Sequence, residues 1–235
     1  MFKKAINFFR EVFQSEKQKE TEYYKKMFVE NSYWNTTEPN EEEKIRWEII
    51  QNFLNKIEFK KDYLSFSILD LGCGRGWLTN LLSDYGDIIG IEPIKPVVDY
   101  AKKIFPKIKF ICGTSKDLLK NEEIKRFDLI VASEVIEHIP DANKKEFVKD
   151  TFKLLNDYGY LILTTPRKEV QNEWVKYSSP NQPIEDWMSE HELEQLLSSN
   201  GFEKKMVERF SISPIVNAPE IEIYQLWLFQ KIHNE

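Results

Sequence analysis

Ile68-Leu-Asp-Leu-Gly-Cys-Gly-Arg-Gly-Trp77 is an apolar run that breaks into three alternating glycines and then into a helical pattern. With Ser67 added, Ser67–Leu71 reads as a buried strand. Trp77, Leu78, Leu81, Leu82 and Tyr85 then share one helix face, stopped by Gly86. Gly72, Gly74 and Gly76 thus sit where a strand turns into a helix, and glycine there permits positive φ and close backbone approach to a ligand. A glycine triplet alone marks only a tight turn. Two acids sharpen it: Asp70 precedes the loop, and Glu92 ends the next strand in Ile88-Ile-Gly-Ile-Glu-Pro93. An acid at the tip of a second strand is placed to accept from both hydroxyls of a ribose. The competing reading is a dinucleotide loop. Its G-x-G-x-x-G spacing, counted from Gly72, puts Trp77 where the third glycine should pack helix against strand. An indole cannot fill that place, and Asp70 suits a cationic amine better than a diphosphate. The loop fits a nucleoside without phosphates.

Outward from the loop, strands and helices alternate. Pro96 opens a helix at its first turn. Strands are predicted at Ile88–Ile91, Lys107–Ile111, Phe127–Ala132 and Tyr160–Thr164, with a helix over Lys144–Asn156 between the last two. Such alternation predicts an α/β fold, a doubly wound parallel sheet covered on both faces. The end differs. Ser189 begins a capped helix that stops at Gly201, and two strand patterns, 203–212 and 221–230, follow with only a loop between them. They should pair antiparallel. Upstream, Asn40 with Glu41, Glu42 and Glu43 is a helix start of the capping-box type, and Ile45, Ile49, Ile50, Phe53, Leu54 and Ile57 keep one apolar face. Phe2, Ile6, Phe9 and Phe13, then Tyr23, Tyr24, Met27 and Phe28, predict one or two helices over residues 1–30, docked on the domain or covering its site. A membrane-surface helix is the alternative, but its polar face mixes Glu with Lys. The expected organisation is a helical cap over 1–60 and a catalytic domain over 61–235, together one compact unit.

Composition narrows the function. With 235 residues the chain is one domain with additions, by the usual ~150 residues per domain. Hydrophobic residues at 41% are enough for a core, and no apolar run approaches the ~18 residues of a membrane span. The start of the chain lacks a signal-peptide pattern, since Asn7, Arg10 and Glu11 interrupt the apolar stretch. Cys73 and Cys112 are too few for a disulfide framework, which with the rest predicts a cytoplasmic protein. A net charge of −6 speaks against a nucleic-acid partner.

The loop and its surroundings resemble a family. Asp70-Leu-Gly-Cys-Gly-Arg-Gly76 is similar to the first motif of class I S-adenosylmethionine-dependent methyltransferases, and Glu92 matches their ribose acid. Cys112-Gly-Thr-Ser-Lys-Asp117 resembles the adenine-side segment. Phe127-Asp-Leu-Ile-Val-Ala-Ser-Glu-Val-Ile-Glu-His-Ile-Pro140 resembles the fourth-strand motif, and Tyr158-Gly-Tyr-Leu-Ile-Leu-Thr-Thr-Pro166 the fifth. The resemblance implies a doubly wound, mostly parallel sheet of seven strands with the last antiparallel. It implies S-adenosylmethionine as cofactor and S-adenosylhomocysteine as product. By it, Asp70 and the backbone of Gly72, Cys73, Gly74 and Gly76 hold the methionine part. Glu92 accepts from the ribose, and Pro93 or Ile94 flanks the adenine. Thr114 departs from the family's frequent acid, which moves adenine recognition toward backbone near Ser115 and Lys116. Ser133 and Glu134 end the strand nearest the sulfonium. Arg46 is a candidate for the cofactor carboxylate, with a solvated helix arginine as the alternative.

Glu134-Val-Ile-Glu-His138 follows the fourth strand and faces the methyl group. Transfer to oxygen or nitrogen gains most from holding donor and acceptor about 3 Å apart in a dry site. A hydroxyl acceptor also gains from a base, and an imidazole at His138 can serve; otherwise His138 orders the loop before Pro140. The E-x-x-E-H spacing of Glu134, Glu137 and His138 is also similar to a metal-ligand segment of quinone and small-RNA O-methyltransferases. The small-RNA enzymes add a histidine after the fifth strand. Here Ser179–Trp187 has none, and His191 lies beyond it, so a metal site is the second reading. The stretch 166–188 is long for a loop and reads as a substrate lid, with Arg167, Trp174, Tyr177 and Trp187 as acceptor contacts. Aromatics beside cations fit a polar or anionic ring-bearing small molecule of the sugar or sugar-nucleotide type. The run also resembles, more faintly, enzymes of surface-polysaccharide or natural-product pathways. The expectation is a small-molecule methyltransferase acting on a hydroxyl, or second an amine. A metal-assisted quinone or RNA O-methyltransferase and a non-catalytic cofactor-binding subunit are its rivals.

Overall fold

The computed structural model describes residues 16–57, 66–179 and 182–232. The helical pattern of Phe2, Ile6, Phe9 and Phe13 and the expected boundary at 60/61 lie outside the described residues. Seven strands make one sheet: β1 (Ser67–Leu71), β2 (Asp87–Glu92), β3 (Lys109–Cys112), β4 (Phe127–Ser133), β5 (Leu155–Pro166), β6 (Phe202–Ile212) and β7 (Ile221–Lys231). Their order is β3-β2-β1-β4-β5-β7-β6. Strands β1 to β5 pair in parallel, and β7 lies antiparallel between β5 and β6. The doubly wound sheet and its antiparallel close are therefore as expected. Strand β1 pairs with both β2 and β4, so the chain reverses its direction of progress across the sheet there. The carboxyl ends of β1 and β4 frame the crevice that such a reversal leaves open.

The helices are α1 (Glu41–Leu54), α2 (Trp77–Leu82), α3 (Lys95–Ile104), α4 (Ser115–Leu119), α5 (Asp141–Leu154), α6 (Gln171–Trp174) and α7 (Glu190–Ser198). Ahead of them, residues 16–25 are helical and Lys26–Glu30 form a π-helical turn. Successive strand residues point to opposite faces. Ile68, Leu129 and Ile162 pack with Ile50, Phe53 and Leu82 on one side of the sheet. Leu69, Ile130 and Leu161 pack with Val148, Leu193 and Leu197 on the other. Burying both faces is why these strands read as continuous apolar runs.

The expected capping boxes of α1 and α7 are both formed, Asn40 with Glu43 and Ser189 with Glu192. Two details differ. Helix α5 begins at Asp141, directly after Pro140 and with an acid in its first turn, rather than at Lys144. In α1, Ile45 is 37% exposed, whereas Arg46 is buried at 4%. The polar residue faces inward because the cavity, and not the apolar core, lies beneath that end of the helix.

Candidate active site

A cavity of about 500 Å³ opens over the carboxyl ends of β1, β2 and β4, within the roughly 300–1,000 Å³ usual for small-molecule sites. Its first half is made by the glycine loop. Gly72 and Gly76 have φ of 81° and 86°. A Cβ on Gly72 would come within 2.5 Å of a Val135 methyl, and one on Gly76 within 2.6 Å of the Phe110 ring. Only glycine fits either place. Asp70 is buried, and the Thr79 hydroxyl donates to its carboxylate at 2.5 Å. Glu92 accepts from the backbone N–H of Ile94 at 2.9 Å and of Gly74 at 3.3 Å. Burial pushes both carboxyls up to about 7. Beside them Gly113, Thr114 and Ser115 line the wall, and Thr114 forms a capping box with Asp117.

Arg75, from the same loop, faces away from the glycines and is fully buried. Its guanidinium donates to both oxygens of Glu43 at 2.7 Å and to the Thr36 carbonyl at 2.8 Å. That fork fastens α1 and the segment before it onto the loop. Phe28 of the π-helical turn then approaches Gly74. Tyr24 stacks against Phe28 with ring centroids 6.1 Å apart and meets the His138 ring edge-on at 6.1 Å.

The second half of the cavity starts where β4 ends. Glu134 has φ of 57°, a costly conformation for a non-glycine residue. It is held there: its N–H donates to the Thr164 carbonyl at 3.0 Å, and its carboxylate accepts from the Thr164 hydroxyl at 2.7 Å. Arg46 stands beside it at 3.6 Å, pairs with Glu42 at 2.8 Å and lies over the Tyr224 ring. The Arg46 Nε is buried without a partner. A turn of 3₁₀ helix, Ile136–His138, follows. Glu137 is buried and accepts from the Thr165 hydroxyl at 3.0 Å; burial raises its carboxyl to about 8. His138 Nδ1 lies 3.0 Å from the Ile184 carbonyl oxygen, which can only accept. That nitrogen therefore carries a proton, and in the neutral ring Nε2 is a bare acceptor. Glu137 is 3.7 Å from Nε2.

Most of the residues singled out in the sequence meet here. Arg46, Asp70, Gly72, Cys73, Gly74, Glu92, Pro93, Thr114, Ser115, Ser133, Glu134, Glu137, His138, Trp174 and Trp187 all line the cavity. Four do not. Gly76 caps α2 in a left-handed conformation behind the loop. Lys116 is on the surface, paired with Glu146 at 2.8 Å. Arg167 is paired with Glu190 at 2.8 Å and Glu222 at 2.6 Å, and Tyr177 is exposed. The cations of the 166–188 stretch thus point outward, and Glu185 instead reaches the wall. Among the described residues no group of three or more acidic, histidine or cysteine side chains is arranged to hold a metal ion. Tyr24 and Phe28, read as part of a stripe docked on the domain or covering its site, line the cavity. Arg75, Gln182, Glu185 and Tyr224 were not singled out as site residues; Arg75 and Tyr224 meet Glu43 and Arg46 far along the chain, where no local spacing marks them.

The profile of the family described as a methyltransferase domain matches residues 23–206. The chain belongs to that family. Among curated relatives, the mitochondrial ubiquinone biosynthesis O-methyltransferase of Bos taurus is 30% identical over 172 residues, 66% of this chain and 46% of its own. The Homo sapiens protein of that name is 31% identical over 172 residues, again 66% and 46%. The chain spans about half the length of these curated relatives. Among solved structures, the N-methyltransferase NodS of Bradyrhizobium japonicum, in complex with S-adenosyl-L-homocysteine, superposes with a TM-score of 0.66 at 17% identity, covering 91% of this chain and 100% of that one. The PH0226 protein of Pyrococcus horikoshii gives 0.65 at 21%, covering 89% and 98%. Both show the fold.

The methyl donor of such methyltransferase domains is S-adenosylmethionine, and the wall fits it. Two buried carboxyls, Asp70 and Glu92, have no salt-bridge partner among the described residues and suit an ammonium and a ribose. Arg46 lines the cavity with its Nε still unpartnered, and its guanidinium suits a carboxylate.

Proposed function

We propose that the chain moves a methyl group from S-adenosylmethionine to a hydroxyl of an uncharged polar small molecule, a sugar-type acceptor in the first instance. The carrying observation is His138. Its Nδ1 is committed to the Ile184 carbonyl, the residue lines the cavity, and Glu137 lies 3.7 Å from Nε2, where its ionised form balances an imidazolium. The bound cofactor supplies an electrophilic methyl carried on a sulfonium. Glu92 accepts from the ribose hydroxyls, and Asp70 with the Gly72–Gly74 backbone holds the ammonium end. Arg46 takes the carboxylate. Pro93 and Ile94 flank the adenine, with Thr114, Ser115 and neighbouring backbone at its edge. Ser133 and Glu134 fix the strand end beside the reacting centre. His138 takes the acceptor's proton at Nε2 as the new bond forms. The described helices before residue 58, with residues 166–179 and 182–188, cap the cavity, and Trp174 and Trp187 form the acceptor walls.

The inward acids and outward cations refine the acceptor: a phosphate-bearing sugar nucleotide meets carboxylates at this end. The names of the curated relatives favour a second reading, a hydroxyl on a quinone-type ring between Tyr24, Trp174 and Trp187. Among the described residues no helix is long and apolar enough to cross a membrane, and we place the protein in the cytoplasm. The test is transfer of labelled methyl to neutral sugars, phenols and amines, with and without chelator. Labelled ethers formed despite chelator support the reading. Labelled amines only, or loss of activity under chelator with recovery on Mg²⁺, replace it.

A further inference from the structure

Glu185 lies outside the four motifs that carry the methyltransferase resemblance, yet its neighbours on both sides are pinned to the site. The N–H of Asp186 donates to the Glu137 carbonyl at 2.8 Å, and the Asp186 carboxylate accepts from the Asp141 N–H at 2.9 Å. The buried Lys144 ammonium donates to the Asp186 carbonyl. On the near side the Ile184 carbonyl holds His138. The Glu185 side chain, between these anchors, lies in the cavity wall. The Trp187 indole N–H donates to its Oε2 at 2.5 Å, leaving Oε1 without a donor among the described residues. Of the arginines in the wall, Arg75 is held by Glu43 and Arg46 stands between Glu42 and Glu134, and the wall contains no lysine. An anionic acceptor would meet the Glu185 carboxylate where, among the described residues of the wall, both arginines are already paired with acids.

We propose that Glu185 is the residue that selects the acceptor: its free oxygen takes a hydrogen-bond donor on a neutral, hydroxyl-rich molecule and rejects acceptors charged negatively at that place. The inference rests on the proposed methyl transfer, since it concerns the acceptor of that reaction. A carboxylate gains from a donor and repels a second carboxylate, so discrimination works by both attraction and exclusion.

The test uses matched pairs, a methyl pyranoside with its uronic acid and a phenol with its hydroxybenzoic acid. Each is offered to the wild type, Glu185→Gln and Glu185→Lys. Turnover is measured, and so is binding to the S-adenosylhomocysteine-saturated protein by tryptophan fluorescence. The wild type should prefer the neutral member by about tenfold or more, roughly 1.4 kcal/mol. Glu185→Gln should shrink that preference and Glu185→Lys reverse it. Unchanged S-adenosylhomocysteine affinity shows that the variants are folded, and if the lysine variant does not fold, the glutamine variant carries the test. A binding preference that follows residue 185 without any turnover would uphold the selection and sink the methyl-transfer reading. Turnover with the same preference in all three proteins, or no preference in the wild type, overturns the role of Glu185.

Discussion

The two halves of the cavity are built in different ways. The half proposed for the cofactor comes from consecutive residues at strand ends: Asp70 to Gly74, Glu92 to Ile94, Gly113 to Ser115. The half proposed for the acceptor is gathered from Tyr24, Glu134, Glu137, His138, Trp174, Gln182, Glu185, Trp187 and Tyr224, brought together by tertiary packing. In the first half each side chain is aimed by the turn it sits in. In the second, aim depends on distant partners such as the Ile184 carbonyl at His138. A common reagent can therefore be held by a local motif while the acceptor varies with the surroundings.

If the halves are separate, damage to one should spare the other. The largest separation is expected from His138→Ala, which should lower kcat by ~10²–10⁴-fold, the usual worth of positioned proton transfer. Its S-adenosylhomocysteine affinity by calorimetry should stay within about a factor of two, well under 1 kcal/mol. Equal loss of both would mean that the halves are one unit. Glu92→Ala should act in the opposite way and weaken cofactor affinity by ~2–4 kcal/mol, through loss of hydrogen bonds to a charged acceptor. Its kcat at saturating cofactor should be nearly that of the wild type.

A thermal scan sharpens the comparison further. Asp70 and Glu92, raised to about 7, and Glu137, raised to about 8, bind protons in the folded chain more tightly than the ~4 of unfolded carboxyls. Between those values the folded state holds more protons, so stability falls as pH rises from about 4.5 to about 8. Glu192, held at about 2 by the Ser189 N–H and hydroxyl, acts the other way, but only below about pH 4. The cofactor-free protein should melt several degrees higher at pH 6 than at pH 8.5. Saturating S-adenosylhomocysteine should narrow the gap; a Tm that rises over this range would contradict the buried-acid account. The smallest effect is expected from Arg167→Ala. Its pairs with Glu190 and Glu222 lie outside the cavity, so acceptor KM should hardly move and stability should fall by at most ~1 kcal/mol.

The same division explains what could be read from the residues alone. Strand–helix alternation, the glycine loop, Glu92 and the closing hairpin are local or periodic signals, and they carried the fold and the cofactor half. Arg167 and Tyr177 looked like acceptor contacts because they share a long loop with Trp174 and Trp187. Which way Arg167 turns depends on Glu190 and Glu222, far along the chain. Arg75 has the same origin, as its partner Glu43 lies on another helix. Ile45, read into the apolar face of α1, turns outward because an apolar stripe marks the core and says nothing of a polar cavity at its edge.

The central claim, that this cavity is built around buried acids for a nucleoside-bearing cation, is tested most directly by titrating S-adenosylhomocysteine into the wild-type chain at pH 8 and pH 6. Glu92 must be ionised to accept from the ribose, and Asp70 to face the ammonium; both sit at about 7 in the empty site. Binding at one site, weaker by about tenfold or more at pH 6, is the expected result, since a decade of protonation for each carboxyl costs about 1.4 kcal/mol. No binding, or an affinity that is the same at both pH values, would contradict it.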